Sequence, residues 1–163
     1  MADNAIALRN IFSFFGPPGS GKGTLAQQCA KTWGAAVLST GDLCRKHIAE
    51  STEFGKSLEG YLKTGQLIPD NLITDIVTDW LSNKLIVKKD IILDGYPRTG
   101  RQVESFFGFL KQQHDFSIKF RVIVFDISAE EVVRRLSSRL MCSNKECQTI
   151  YSLTSKPPVV EQE

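Results

Sequence analysis

A chain of 163 residues, 42% hydrophobic and 23% charged, has the composition of one globular domain, which excludes disorder as its main state. Twenty basic against 18 acidic residues leave a net charge of +2, too mild to call for a nucleic-acid partner but compatible with a basic groove for small anions. Asp3 and Arg9 interrupt the apolar residues of the first ten positions, and no stretch approaches the roughly eighteen apolar residues of a membrane span, so neither an export signal nor a membrane partner is expected.

In chain order, Ile11–Phe15 is short, apolar and aromatic, the pattern of a buried strand, and Gly16 ends it. Gly21–Trp33 has helical spacing, with Leu25, Cys29 and Thr32 able to share a face. Ala36–Ser39 is a second strand, followed by helical stretches over Asp42–Glu50, Glu53–Thr64 and Asp70–Lys84, with Gly65 and Pro69 as breaks. Ile91–Leu93 is a third strand, Gln102–Gln113 a helix, Phe120–Phe125 a fourth strand and Ala129–Leu140 a last helix. Strands apolar on both faces that alternate with helices predict an α/β fold, a parallel sheet with helices on both faces. In such sheets ligands gather at the carboxyl ends of the strands, where the three most suggestive segments lie.

The first of these, Gly16-Pro-Pro-Gly-Ser-Gly-Lys22-Gly-Thr24, follows a strand and opens a helix. Glycines let successive N–H groups surround phosphate oxygens, the helix N-terminus adds partial positive charge, and Lys22 can reach the outer phosphates. The usual hydroxyl after the lysine is missing: Gly23 stands there and Thr24 comes one residue later. Direct ligation of magnesium at that position is therefore not expected.

Three further motifs follow in order: Ser39-Thr40-Gly41-Asp42-Leu43-Cys44-Arg45, Gly65-Gln66-Leu67-Ile68-Pro69-Asp70, and Asp94-Gly95-Tyr96-Pro97-Arg98-Thr99. With the glycine loop they resemble the nucleoside monophosphate kinases, adenylate kinase in particular, from about Ile11 to Tyr151. The resemblance implies a P-loop core over residues 1–38 and 69–140, a nucleotide-binding insertion over 39–68 and an incomplete lid over 141–163, the chain stopping within that lid. It implies transfer of a phosphoryl group between ATP, bound with Mg2+, and AMP. On the ATP side it implies Gly19, Ser20, Gly21, Lys22, Gly23, Thr24, Arg135, Arg139, Ile150 and Tyr151. On the AMP side it implies Thr40, Arg45, Gln66, Leu67, Ile68, Gly95, Tyr96, Pro97, Arg98 and Gln102. Lys22, Arg98, Arg139 and Asp94 are the implied catalytic set, Asp94 acting on the metal through its waters.

Each segment also has a plainer reading. Thr40 or Asp42 can simply cap a helix, and Asp94-Gly95 can simply turn the chain. Arg135 and Arg139, four apart on one helical face without acidic partners, can be a solvated basic face or a cage for an anion. Uridylate–cytidylate kinases share the loop and the arginines; Thr40 and Gln102 favour AMP over a pyrimidine nucleotide. A nucleotide-binding module without catalysis is the remaining alternative. Cys29 and Cys44 read as reduced thiols, as expected in the cytoplasm. Cys142 and Cys147, spaced Cys-x4-Cys with no second pair, read as free thiols in preference to a structural zinc site. A monomer is expected.

Overall fold

The computed structural model describes residues 7–85, 89–114, 116–143, 150–153 and 157–158. It divides into two compact units, one running to Phe15 and from Lys22 to Val124, the other comprising Gly16–Gly21 and the chain from Phe125 on.

The first unit is a four-stranded parallel sheet flanked by helices. β1 (Ala7–Phe15) pairs with both β3 (Ile91–Asp94) and β4 (Phe116–Val124), and β2 (Ala36–Ser39) lies outside β3, giving the order β2-β3-β1-β4. β1 and β3 are central, which is why Ile11, Ile91, Ile92 and Leu93 are wholly buried. α1 (Lys22–Trp33) buries Ala26 and Cys29; Leu25 and Thr32, predicted on the same face as Cys29, are exposed. α4 (Asp70–Leu85) turns Ile76, Val77, Leu81 and Leu85 into the core, where α5 (Gly100–Lys111) adds Phe106. Phe106 meets Tyr96 edge to face with the rings 5.6 Å apart.

β4 departs from the expectation of a strand buried on both faces. It begins at Phe116 and forms the sheet edge, with Val122, Ile123 and Val124 exposed. Its backbone pairs with β1 along all nine residues, so strand formation follows the β-branched sequence although these side chains are not covered.

α2 (Thr40–Ala49) and α3 (Glu53–Thr64) form a hairpin between β2 and α4. The cap of α2 is Ser39, whose hydroxyl accepts from the Asp42 N–H, so neither Thr40 nor Asp42 is the capping residue. Thr52 caps α3 by accepting from Gly55 N–H at 3.0 Å, and its hydroxyl also meets His47 Nδ1 at 2.9 Å. α3 ends on Gly65, left-handed at φ 67°. Among the described residues no helix is long and apolar enough to cross a membrane.

The second unit contains the glycine loop, α6 (Ala129–Ser137) and an antiparallel pair, β5 (Arg139–Met141) with β6 (Ile150–Ser152). α6 is three residues shorter than predicted. Ser138 caps its end, and Arg139 leaves the helix to open β5 opposite Ser152. Two consecutive serines are weak helix formers, and the strand pairing takes over where they stop.

Candidate functional site

In the first unit the carboxyl ends of β2 and β3 carry the acceptor-type motifs side by side, since Ser39 and Asp94 are register partners. Asp94 is half-buried, and burial pushes its carboxyl above the ordinary aspartate range despite the opposing charges of Lys22 and Arg98. A Cβ on Gly23 would lie 3.3 Å from Asp94 Oδ2, closer than ordinary contact. A side chain at the position where many phosphate loops carry a hydroxyl would therefore press on this carboxylate.

The raised pKa has a stability consequence. A carboxyl whose folded pKa exceeds its unfolded value favours the folded state below the unfolded pKa and loses that contribution as pH rises through the folded one. At neutral pH ionised Asp94 therefore opposes folding. Asp94→Asn is expected to melt at a higher temperature than the parent at pH 7, with the gap narrowing towards pH 4. Thermal melts across that range check the direction.

Beyond Asp94 the chain makes a tight loop over Gly95–Thr99. Gly95 stands at φ 79°, a conformation that favours glycine, and a Cβ there would also displace the Arg98 guanidinium, whose Nη2 would lie 2.6 Å away. The Gly95 carbonyl accepts from Arg98 Nε at 2.6 Å and from the Thr40 hydroxyl at 3.5 Å, joining β3's loop to the start of α2. Below the loop, Ser13 Oγ donates to the Tyr96 carbonyl at 2.5 Å and the Tyr96 hydroxyl donates to Thr74 at 3.1 Å. Tyr96 and Pro97 are buried, their peptide bond is cis, and Arg98 is exposed above them.

Arg45 pairs with Asp42 one turn before it. The next group along is Cys44, whose thiol burial pushes up while Arg45 and Arg98 both oppose the rise. Gln66 and Leu67, by contrast, stand exposed on the loop after α3, Leu67 at 94%, with Ile68 partly covered behind them.

Gln102 is buried at 5% exposure in the first turn of α5. Its Nε2 donates to Asp70 Oδ1 at 2.7 Å, and its Oε1 accepts from Arg98 N–H at 2.8 Å. Asp70 Oδ2 accepts from the Thr99 hydroxyl at 2.8 Å, and Thr99 Oγ1 accepts in turn from Gln102 N–H. Sequence reasoning assigned no role to Asp70 or Thr99. A signal was present: Thr99-Gly100-Arg101-Gln102 has the spacing of a capping box, which marks Thr99 as the cap.

In the second unit the loop bends back so that Ser20 N–H donates to the Pro17 carbonyl at 3.2 Å, with Gly16, Gly19 and Gly21 all at positive φ. Gly19 rests on α6, where its carbonyl accepts from Arg135 Nη1 at 3.3 Å. Arg135 is not without an acidic partner. Its Nε donates to Glu131 at 2.6 Å, and Arg134 grips the same carboxylate through two bonds. The Glu131 carboxyl is held down to about 2 by these arginine hydrogen bonds. The predicted unpartnered face of Arg135 and Arg139 is therefore corrected twice: the first shares the Glu131 carboxylate with Arg134, and the second lies in β5. Tyr151 faces Leu140 across the β5–β6 pair, beside Ile150 in β6. Cys142 is partly buried with a free thiol, as is Cys44, and Cys147 lies outside the described residues.

The family model for adenylate kinase matches residues 14–161. The chain belongs to the adenylate kinase family. It is 40% identical over 147 residues to the adenylate kinase of Pyrococcus furiosus, a match covering 90% of this chain and 63% of that protein. It is 43% identical over 147 residues to the adenylate kinase of Thermosipho melanesiensis, covering 90% of this chain and 66% of that one. The adenylate kinase of Methanothrix thermoacetophila is 43% identical over 148 residues, covering 89% and 65%. The chain thus spans slightly under two thirds of these relatives' length. Family membership and the parallel sheet flanked by helices agree with the resemblance carried by the four motifs.

Proposed function

We propose that this adenylate kinase relative transfers the terminal phosphoryl group of ATP reversibly to AMP, giving two ADP. The observation that carries the reading is the meeting of Thr40 and Arg98 at the Gly95 carbonyl beside Asp94, with Arg45 in the first turns of α2, at the ends of adjacent strands. Such a cage neutralises charge on an acceptor phosphate and needs no covalent chemistry from the protein, as phosphoryl transfer demands.

In this reading Thr40, Arg45, Gln66, Leu67, Ile68, Gly95, Tyr96, Pro97, Arg98 and Gln102 hold AMP. The glycine loop, Lys22, Thr24, Arg135, Arg139, Ile150 and Tyr151 serve ATP. Among the described residues no group of three or more His, Cys, Asp or Glu side chains is placed to hold a metal ion, and in this reading magnesium arrives with ATP on nucleotide oxygens and water. Asp94 would hold its waters, and the bound ion neutralises charge on the transferring phosphates. The proposed division is a core over 1–38 and 69–140, an acceptor insertion over 39–68 and lid residues over 141–163. A cytoplasmic monomer without nucleic-acid partners completes it.

A coupled assay with magnesium-ATP and AMP, UMP or CMP tests the reading. ADP formation is expected with AMP, at a kcat/KM at least about tenfold above either pyrimidine nucleotide. A preference for CMP or UMP would overturn the choice of acceptor. Binding of a two-nucleotide bisubstrate analogue without turnover would leave a nucleotide-binding module in its place.

A further inference from the structure

The geometry points to Asp70 as the residue that sets which kind of base the acceptor site takes, by locking the Gln102 amide in one of its two orientations. This rests on the AMP-binding reading of Gln102 given above.

A glutamine amide is nearly symmetric in shape but opposite in chemistry at its two ends, so a free one offers a donor or an acceptor at either end. Gln102 has lost that freedom. One end meets Asp70, whose ionised carboxylate can only accept; the other meets the Arg98 backbone N–H, which can only donate. The reverse orientation would set oxygen against carboxylate and N–H against N–H, leaving two unsatisfied pairs at a residue only 5% exposed. Asp70 is itself held, because its second oxygen accepts from Thr99, the cap of α5. The carboxylate comes from the start of α4 and its two partners from α5, so packing between the helices sustains the lock.

Locked in this way, the amide keeps one further N–H on Nε2 and one further lone pair on Oε1. That pair, in that fixed order, matches a base edge with a ring nitrogen acceptor beside an exocyclic amino group. An edge with ring N–H beside a carbonyl, in the same pose, meets donor with donor and acceptor with acceptor. The site therefore takes amino-bearing bases and rejects oxo-bearing ones: adenine over hypoxanthine among purines, cytosine over uracil among pyrimidines. Separating adenine from cytosine falls to pocket size instead. Asp70 is a positioning residue in this scheme, since it acts only through Gln102.

Asp70→Asn is the informative variant. Asparagine keeps size and hydrogen bonding but can face Gln102 with either an acceptor or a donor, so it releases one end of the lock without removing the contact and leaves only the Arg98 N–H to hold the amide. Calorimetric titration of the full chain with AMP and IMP is expected to show at least tenfold preference for AMP in the parent. In Asp70→Asn that preference is expected to fall about tenfold, with AMP affinity itself within a few-fold of the parent. A second measurement needs no nucleotide: the side-chain NH2 resonances of Gln102 in the 15N-labelled chain, assigned by their loss in Gln102→Leu, are expected to shift and exchange faster in Asp70→Asn. An unchanged AMP-to-IMP ratio, or unchanged Gln102 resonances, would overturn the role of Asp70. A parent that binds UMP best, or no nucleotide, would overturn the AMP reading, while the resonances still decide whether the lock exists.

Discussion

Lys22→Met is expected to reduce phosphoryl transfer by about three orders of magnitude while leaving the thermal midpoint close to the parent's. Lys22 opens α1 directly after the glycine loop, and its charge is felt at Asp94. Methionine keeps the length of the aliphatic stem and the helix propensity of lysine, so the fold loses little. What goes is the only element of the variant that matters to phosphates, a mobile cation positioned where negative charge gathers. Asp94 is expected to respond as well. With Lys22 gone, one of the two charges opposing its raised pKa disappears, and the carboxyl titrates at still higher pH. The measurements are the coupled ADP assay, bisubstrate-analogue binding and a melting curve. Retention of more than a tenth of both transfer and binding would remove Lys22 from the phosphate site.

Gly55→Ala should be among the most destabilising single-methyl additions in the chain. Gly55 is buried at the start of α3, and a Cβ there would overlap the carbonyl oxygen of His47 and crowd the Ile48 nitrogen. These are backbone atoms and cannot rotate aside. The same carbonyl accepts from Thr52 N–H at 3.2 Å, while the Thr52 hydroxyl meets the His47 ring. Relief thus requires α2 and α3 to part, breaking the cap of α3 and the edge-to-face contact of His47 with Phe54. An overpacking penalty of about 3 kcal/mol is expected. Because α2 carries Thr40 and Arg45, AMP binding is expected to weaken with it.

Gly60→Ala, one and a half turns further along the same helix, supplies the control. Nothing lies within 4 Å of its Cβ position, so the methyl should stabilise by about 0.5–1 kcal/mol through helix propensity alone. Urea unfolding of both variants distinguishes steric cause from a general intolerance of alanine in α3.

Several parts of the site were legible because their chemistry needs contiguous residues. A loop that wraps phosphates must be glycine-rich over a few positions, and an arginine just past a strand end must follow that strand directly. The Gly16–Thr24, Ser39–Arg45 and Asp94–Thr99 motifs therefore reveal themselves without a fold. Arg135 shows the opposite case. Four positions before it, Glu131 is plain in the sequence, and i,i+4 pairing on α6 makes it the natural partner of an arginine read as unpartnered. Arg139 was misplaced for another reason: helix ends are set by what competes for the backbone, and β6, eleven residues on, supplies the competitor.

By itself the sequence determined the family and the parallel α/β class, and it named the segments that carry the proposed phosphate-handling groups, all of which depend on local pattern. Tertiary structure decided the rest. It made β4 an edge with exposed valines, because strand order is a long-range property that alternation cannot report. It crowded position 23, because Asp94, seventy-one residues away, comes within 3.3 Å of where a Cβ would stand. It also turned Gln102 from a candidate base reader with a free amide into one held between Asp70 and Arg98. A side chain's hydrogen-bonding partners depend on what folding brings within 3 Å, and spacing along the chain does not contain that information.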